Sequence, residues 1–123
     1  MSIERELKPM NDQQYQEISA DTPDGQTIIA LINGDRGWLM YLREIGDAGF
    51  SSRCPNYAGP GDAVIEYVLS NGQRDEYPAS WSISKSEVDR ALEFFRRECR
   101  PPPFVLWHND SRDGVQLEYN PND

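Results

Sequence analysis

The chain has 123 residues, 37% hydrophobic and 11% aromatic, enough for one domain with its own core, since domains commonly run to about 100–150 residues. Its 21 Asp and Glu against 12 Lys and Arg give a formal charge of −9, which repels phosphate backbones and argues against nucleic-acid binding of the usual electrostatic kind. No apolar run reaches the roughly 20 residues that span a bilayer, and the first ten residues lack the apolar centre of a secretory leader, so a cytoplasmic protein is expected.

Residues 1–26 are polar. Asp12 to Ala20 reads as a short helix with Tyr15, Ile18 and Ser19 on one side, and Thr22-Pro23-Asp24-Gly25 as a turn. Thr27 to Ile32 is β-branched and apolar enough for a central strand. Asn33-Gly34-Asp35-Arg36-Gly37 reverses the chain, and Trp38 to Leu42 returns as the second strand of a hairpin. From Gly46 to Gly61 the chain is rich in glycine and proline and reads as an ordered or binding loop, with Phe50 placed to begin a short strand. Ala63 to Leu69 is a strand. Asn71-Gly72 is the preferred pair for a two-residue type I′ hairpin, and the polar Gln73 to Tyr77 returns as an edge strand able to pair between copies.

Ser84 and Glu87 stand three apart, the spacing of a capping box. Val88, Ala91, Leu92, Phe95 and Cys99 then recur at helical spacing as a buried stripe, leaving Asp89, Arg90, Glu93, Arg96 and Arg97 for solvent. Arg100-Pro101-Pro102-Pro103 stops the helix, because proline lacks the amide donor and disfavours helical geometry in the residue before it. Phe104 to Trp107 is a last short strand, and Asn109 to Asp123 an irregular tail. Hairpin strands with one late helix predict a single α+β domain over 1–123: a mostly antiparallel sheet with one main amphipathic helix packed on one face. Trp38 and Trp107 are expected in its core.

Catalytic signals are sparse. His108 is the only histidine, and no plausible nucleophile with an orienting partner lies near it in the sequence. Cys54, Cys99 and His108 match no zinc spacing, and a disulfide between the two cysteines is not expected in a reducing compartment. Gly59-Pro60-Gly61-Asp62 matches no phosphate-binding loop and reads as a turn. Asn109, Asp110, Asp113 and Asn122 do not follow calcium-loop spacing. No cofactor or metal is expected. What remains is a set of acids in or beside turns, Asp35, Asp47, Asp62, Asp75 and Glu76, interleaved with Trp38, Tyr57, Tyr77 and Trp81. One reading is solvated charges over core aromatics. The other is a protein-binding surface of aromatic anchors ringed by polar groups, with Asp35, Asp47, Tyr57, Asp62, Asp75, Glu76 and Trp81 as contact residues. The Gly46 to Gly61 loop and the hairpin around Asn71-Gly72 are its expected contact elements.

The stretch from about Gly37 to Trp107 resembles the first-numbered immunity-protein family of bacterial polymorphic toxin systems. The resemblance is carried in order by Gly37-Trp38-Leu39, the Ala63 to Tyr67 strand after a glycine loop, Tyr77-Pro78, Ile83-Ser84, Ala91-Leu92-Glu93-Phe94-Phe95, and Arg100-Pro101-Pro102 leading to Trp107. The run of three prolines, Pro101 to Pro103, and the N-terminal third depart from it. The resemblance implies a non-enzymatic protein that binds a cognate toxin, a nuclease or nucleobase deaminase, in a 1:1 complex; the matching residues are framework and assign no toxin contacts. A charge of −9 fits such a role independently, because a toxin acting on nucleic acid presents a basic cleft that an acidic protein can cover. A general acidic adaptor and a small hydrolase built around His108 are the other readings.

Overall fold

The computed structural model describes residues 14–122. In chain order the strands are β1 (Tyr15–Asp21), β2 (Thr27–Asn33), β3 (Arg36–Leu42), β4 (Phe50–Arg53), β5 (Val64–Val68), β6 (Arg74–Pro78), β7 (Ile83–Ser84) and β8 (Leu106–Asn109). A short 3-10 turn occupies Ala79–Trp81, and the main helix α1 is Lys85–Glu98. The class is α+β, as the sequence predicts. The main sheet runs β1-β2-β3-β4-β8, with β7 also paired to β3, and every pairing is antiparallel. No helix among the described residues is long and apolar enough to cross a membrane.

Tyr15 to Ala20 is strand, not helix; the Asp12 end of the expected helix lies outside the described residues. Glu17-Ile18-Ser19-Ala20-Asp21 alternates polar and apolar, the period of a half-buried strand rather than a helical stripe. Pairing with β2 from Tyr15↔Asn33 to Asp21↔Thr27 gives its backbone a ladder, and Ile18 and Ala20 pack against the helix-side core.

The main sheet is covered on both faces. Ile28, Ala30 and Ile32 of β2 and Leu39 and Tyr41 of β3 meet Val88, Ala91, Leu92 and Phe95 of α1, with Phe50, Ile83, Phe104 and Val105 closing this core. Alternation sends Leu31 and Trp38 to the opposite face, where the β5–β6 hairpin lies over them. There Trp38 stacks on Tyr77 with ring centroids 4.4 Å apart, and Trp81 also stacks with Tyr77, at 6.0 Å. Tyr67, 1% exposed, completes this second core, and burial pushes its phenol up to about 12. Trp38 is thus core, as expected; Trp107 is half-buried and packs against the helix-side core.

Local details correct two other expectations. The β5–β6 turn has three residues, Ser70-Asn71-Gly72: Gly72 N–H donates to Leu69 O (2.9 Å) and Leu69 N–H to Gln73 O (2.8 Å). Only Gly72 has positive φ (+90°), so the two left-handed residues of a type I′ turn are absent. Cys99 is exposed rather than core. The capping box does form, Ser84 Oγ accepting from Glu87 N–H at 3.2 Å, but at Cys99 the chain leaves the helix with φ +58°, swinging that side chain off the apolar stripe. Within the stretch 46–61 a short strand does begin at Phe50, as the sequence suggests: buried Phe50, Ser51 and Ser52 run through it as β4. Ser52 spans the gap between β4 and β7 along β3: its hydroxyl accepts from Leu39 N–H and donates to Trp81 O, both at 3.0 Å.

Candidate functional site

The acid excess is concentrated in two parts of the chain. Residues 14–35 carry Glu17, Asp21, Asp24 and Asp35 with no Lys or Arg, and residues 54–80 carry Asp62, Glu66, Asp75 and Glu76 against Arg74 alone. The remaining described residues, 36–53 and 81–122, balance at nine carboxylates and nine Lys and Arg. The helix, β3, β4 and β8 together with their connecting loops are therefore neutral as a group, and the net charge of the described residues lies on β1, β2, their turns and the hairpin layer.

These elements meet in space. With Ile18 and Ala20 turned toward the helix, Glu17, Ser19 and Asp21 project from the hairpin-side face of β1. Glu17 Oε1 accepts from Ser70 N–H (2.8 Å) and Ser70 Oγ (2.7 Å), tying β1 to the tip of the β5–β6 hairpin and holding the carboxyl below its ordinary range. Asn33 Nδ2 donates to Glu66 O (2.8 Å), joining the end of β2 to β5 two residues before the exposed Asp35. Because Ile65, Tyr67 and Tyr77 face inward, Val64, Glu66, Glu76 and Arg74 face out. Glu66 and Glu76 are directly opposed across the strands. Like charges in that position destabilise a sheet, and Arg74, 2.8 Å from Glu66 Oε1, offsets only one of them.

The expected contact residues divide accordingly. Asp35, Asp62 and Glu76 are exposed, and Asp75 is half-buried, accepting from Gln73 Nε2 (2.9 Å) and Tyr77 Oη (3.3 Å). Asp47 is not displayed at all: its side chain is 5% exposed and bound to Arg43 Nη2 at 2.8 Å. It also accepts from Arg43 N–H (2.9 Å) and Nε (2.8 Å), and these bonds hold its carboxyl well below the usual range. Trp81 is half-buried between Tyr77 and the Arg53 guanidinium, 4.0 Å from its ring, so it serves the second core. Tyr57 hydrogen-bonds within its own loop, Oη donating to Pro60 O at 2.7 Å, in a turn where a Cβ on Gly59 would meet the Tyr57 hydroxyl at 2.5 Å. Glu17, Asp21, Asp24 and Glu66 were missed by the sequence reading; the alternation in β1 and the run without a base before Arg36 are the signals that mark them.

His108 is exposed, with Nδ1 2.8 Å from Asp110 Oδ1. The nearby hydroxyl, buried Ser51, donates to Asp110 Oδ2 (2.9 Å) and accepts from Arg53 (3.0 Å) rather than bonding the imidazole. The contact that activates a nucleophile is therefore not formed here. Cys54 and Cys99 are free thiols, and among the described residues no three His, Cys, Asp or Glu gather as metal ligands. Comparison with protein-family models, curated proteins and solved structures found no match for the chain.

Proposed function

We propose that this chain is an immunity-type protein that binds a basic toxin acting on nucleic acid and covers its substrate cleft, performing no chemistry itself. The observation that carries the reading is the charge asymmetry: eight carboxylates and one base on the β1, β2 and hairpin elements, against an even balance elsewhere. A field polarised in this way steers a basic partner onto one side of the molecule and raises the association rate. The opposed Glu66 and Glu76 add a local reason, since a lysine or arginine placed between them would relieve their repulsion. The resemblance of Gly37 to Trp107 to immunity proteins supports the same reading. Occlusion rests on rigid backing: the hairpin is fixed to the sheet by the stacked Trp38, Tyr77 and Trp81.

The test is a kinetic comparison against the protein encoded immediately upstream, using the parent chain and a variant with Asp35→Asn, Asp62→Asn, Glu66→Gln and Glu76→Gln. These side chains are at the surface, so the variant keeps the fold. Expected is an association rate at least tenfold lower at low salt, with a flatter dependence on ionic strength and little change in dissociation rate. Unchanged association and salt dependence would remove the acidic-face reading.

A further inference from the structure

β8 is the outer strand of the main sheet. Asp110 N–H donates to Gly49 O at 2.9 Å; with the β4–β8 register, the ladder bonds fall at Ser51↔His108 and Arg53↔Leu106. Antiparallel ladders alternate, so the amides and carbonyls of Trp107 and Asn109 point away from β4, toward the open edge. Among the described residues no hydrogen bond is made to these four groups.

The tail runs beside this edge without pairing to it, pinned at both ends. At one end Asp113 binds Arg43 Nη1 (2.8 Å) and Asn109 Nδ2 (2.6 Å), and Asn109 Nδ2 also donates to Val115 O (2.8 Å). At the other, Asn120 N–H donates to Pro103 O (2.6 Å). Between tail and strand lies a cleft of about 550 Å³, with Phe50, Trp107, Leu117 and Tyr119 among its apolar walls. Among the described residues no carboxylate lines this cleft; its ionisable groups besides Tyr119 are His108 and Arg112. His108 is engaged by Asp110, whereas Arg112 makes no ion pair among the described residues.

We propose that the β8 edge receives an extended peptide segment of a partner protein by strand addition, with a carboxylate of that segment on Arg112. Backbone bonds to Trp107 and Asn109 supply affinity, and alternate apolar side chains enter the walls formed by Phe50, Trp107 and Leu117. Four residues of β8 offer an edge of roughly 13 Å, the length of a four-residue strand. The cleft beside the edge is closed on its far side by the tail residues Gly114 to Leu117, so an incoming segment lies between tail and strand. The preference for a carboxylate is opposite to that of the acidic face, so this proposal stands independently of the toxin reading.

The experiment titrates the full chain with dye-labelled pentapeptides that alternate Val, Ile or Phe with Thr and end in Glu with a free terminus, read by fluorescence anisotropy. Expected is saturable binding in which N-methylation of one alternate set of residues weakens affinity at least tenfold and of the other set less than twofold. Arg112→Gly should weaken it at least fivefold, with no further loss when both peptide carboxylates are amidated. That variant keeps the fold, because Arg112 already holds φ +67°, a conformation glycine adopts freely. No saturable binding, or equal effects of the two N-methyl sets, would overturn the proposal. So would self-association of the chain that these peptides reverse, which would assign the edge to a second copy.

Discussion

Gly37 lies on β3 directly beneath α1, and it is where the account of the helix–sheet packing is most exposed to test. A Cβ at this position would stand 2.6 Å from Val88 Cγ2 and 3.1 Å from Leu31 O. The first contact cannot relax cheaply, because Val88 is 0% exposed and a valine in a helix has essentially one rotamer. Overpacking of this kind costs about 1–3 kcal/mol, offset by ~0.5–1 kcal/mol from the lower chain entropy of unfolded alanine relative to glycine. Gly37→Ala should therefore lose up to about 2.5 kcal/mol net, with about 1 kcal/mol the central value. Val88→Ala alone removes two buried methyl groups and leaves a cavity, a loss of about 2–3 kcal/mol. In the double variant the new methyl occupies part of the space the valine vacates, so the losses should fall short of additive by about 1 kcal/mol or more. Urea unfolding followed by tryptophan fluorescence measures all four corners of the cycle. Strict additivity would mean that the helix does not seat on β3 as described. Neither substitution changes charge, so both variants also serve as folding controls for the acidic-face substitutions.

Other sites offer independent checks. Asp47→Asn should destabilise by about 1–3 kcal/mol near neutrality, since it weakens a nearly buried carboxylate's bonds to Arg43. Because folding lowers the Asp47 pKa, its contribution is present above the unfolded value of about 3.9 and fades as pH falls below it. The gap between parent and variant should hold from pH 8 to 5 and narrow below pH 4 in urea titrations; a gap that widened in acid would contradict the assignment. Cys99→Gly should stabilise by about 0.5–1 kcal/mol in calorimetry, because an exposed β-carbon at φ +58° is exchanged for the residue that favours this helix cap. Ser52→Ala should cost about 1–3 kcal/mol by thermal unfolding, since it leaves Leu39 N–H and Trp81 O unpaired in the core.

Elements whose signals are local were legible in the sequence. The capping box at Ser84 and Glu87, the prolines after Arg100 and the turns at Gly34 and Gly72 each act within a few residues, and the helix and the two hairpins they bound stand where expected, whereas the last strand, read from Phe104 to Trp107, runs Leu106–Asn109. β1 was misread because Tyr15, Ile18 and Ser19 fit a helical stripe only loosely, while the competing period-2 pattern gains its meaning from β2, several residues downstream. Cys99 was misread because helical periodicity continues on paper past the point where φ changes sign. The acidic residues were visible as turn residues, but their environments were not. Asp47 is enclosed by Arg43 across a loop whose path no spacing rule reports. Glu66 joins Glu76 only once the three-residue turn fixes the hairpin register. The base-free run from Gln14 to Asp35 was plain in the sequence; that β1 and the hairpin bring it beside Glu66 was not.

Co-expression with the protein encoded immediately upstream tests the central claim most directly, with survival of the host scored alongside complex formation on a sizing column. The account predicts that the upstream protein alone arrests growth, and that this chain restores growth and elutes with it as a stable 1:1 complex at low salt. Growth arrest that persists with no complex between the two would contradict it.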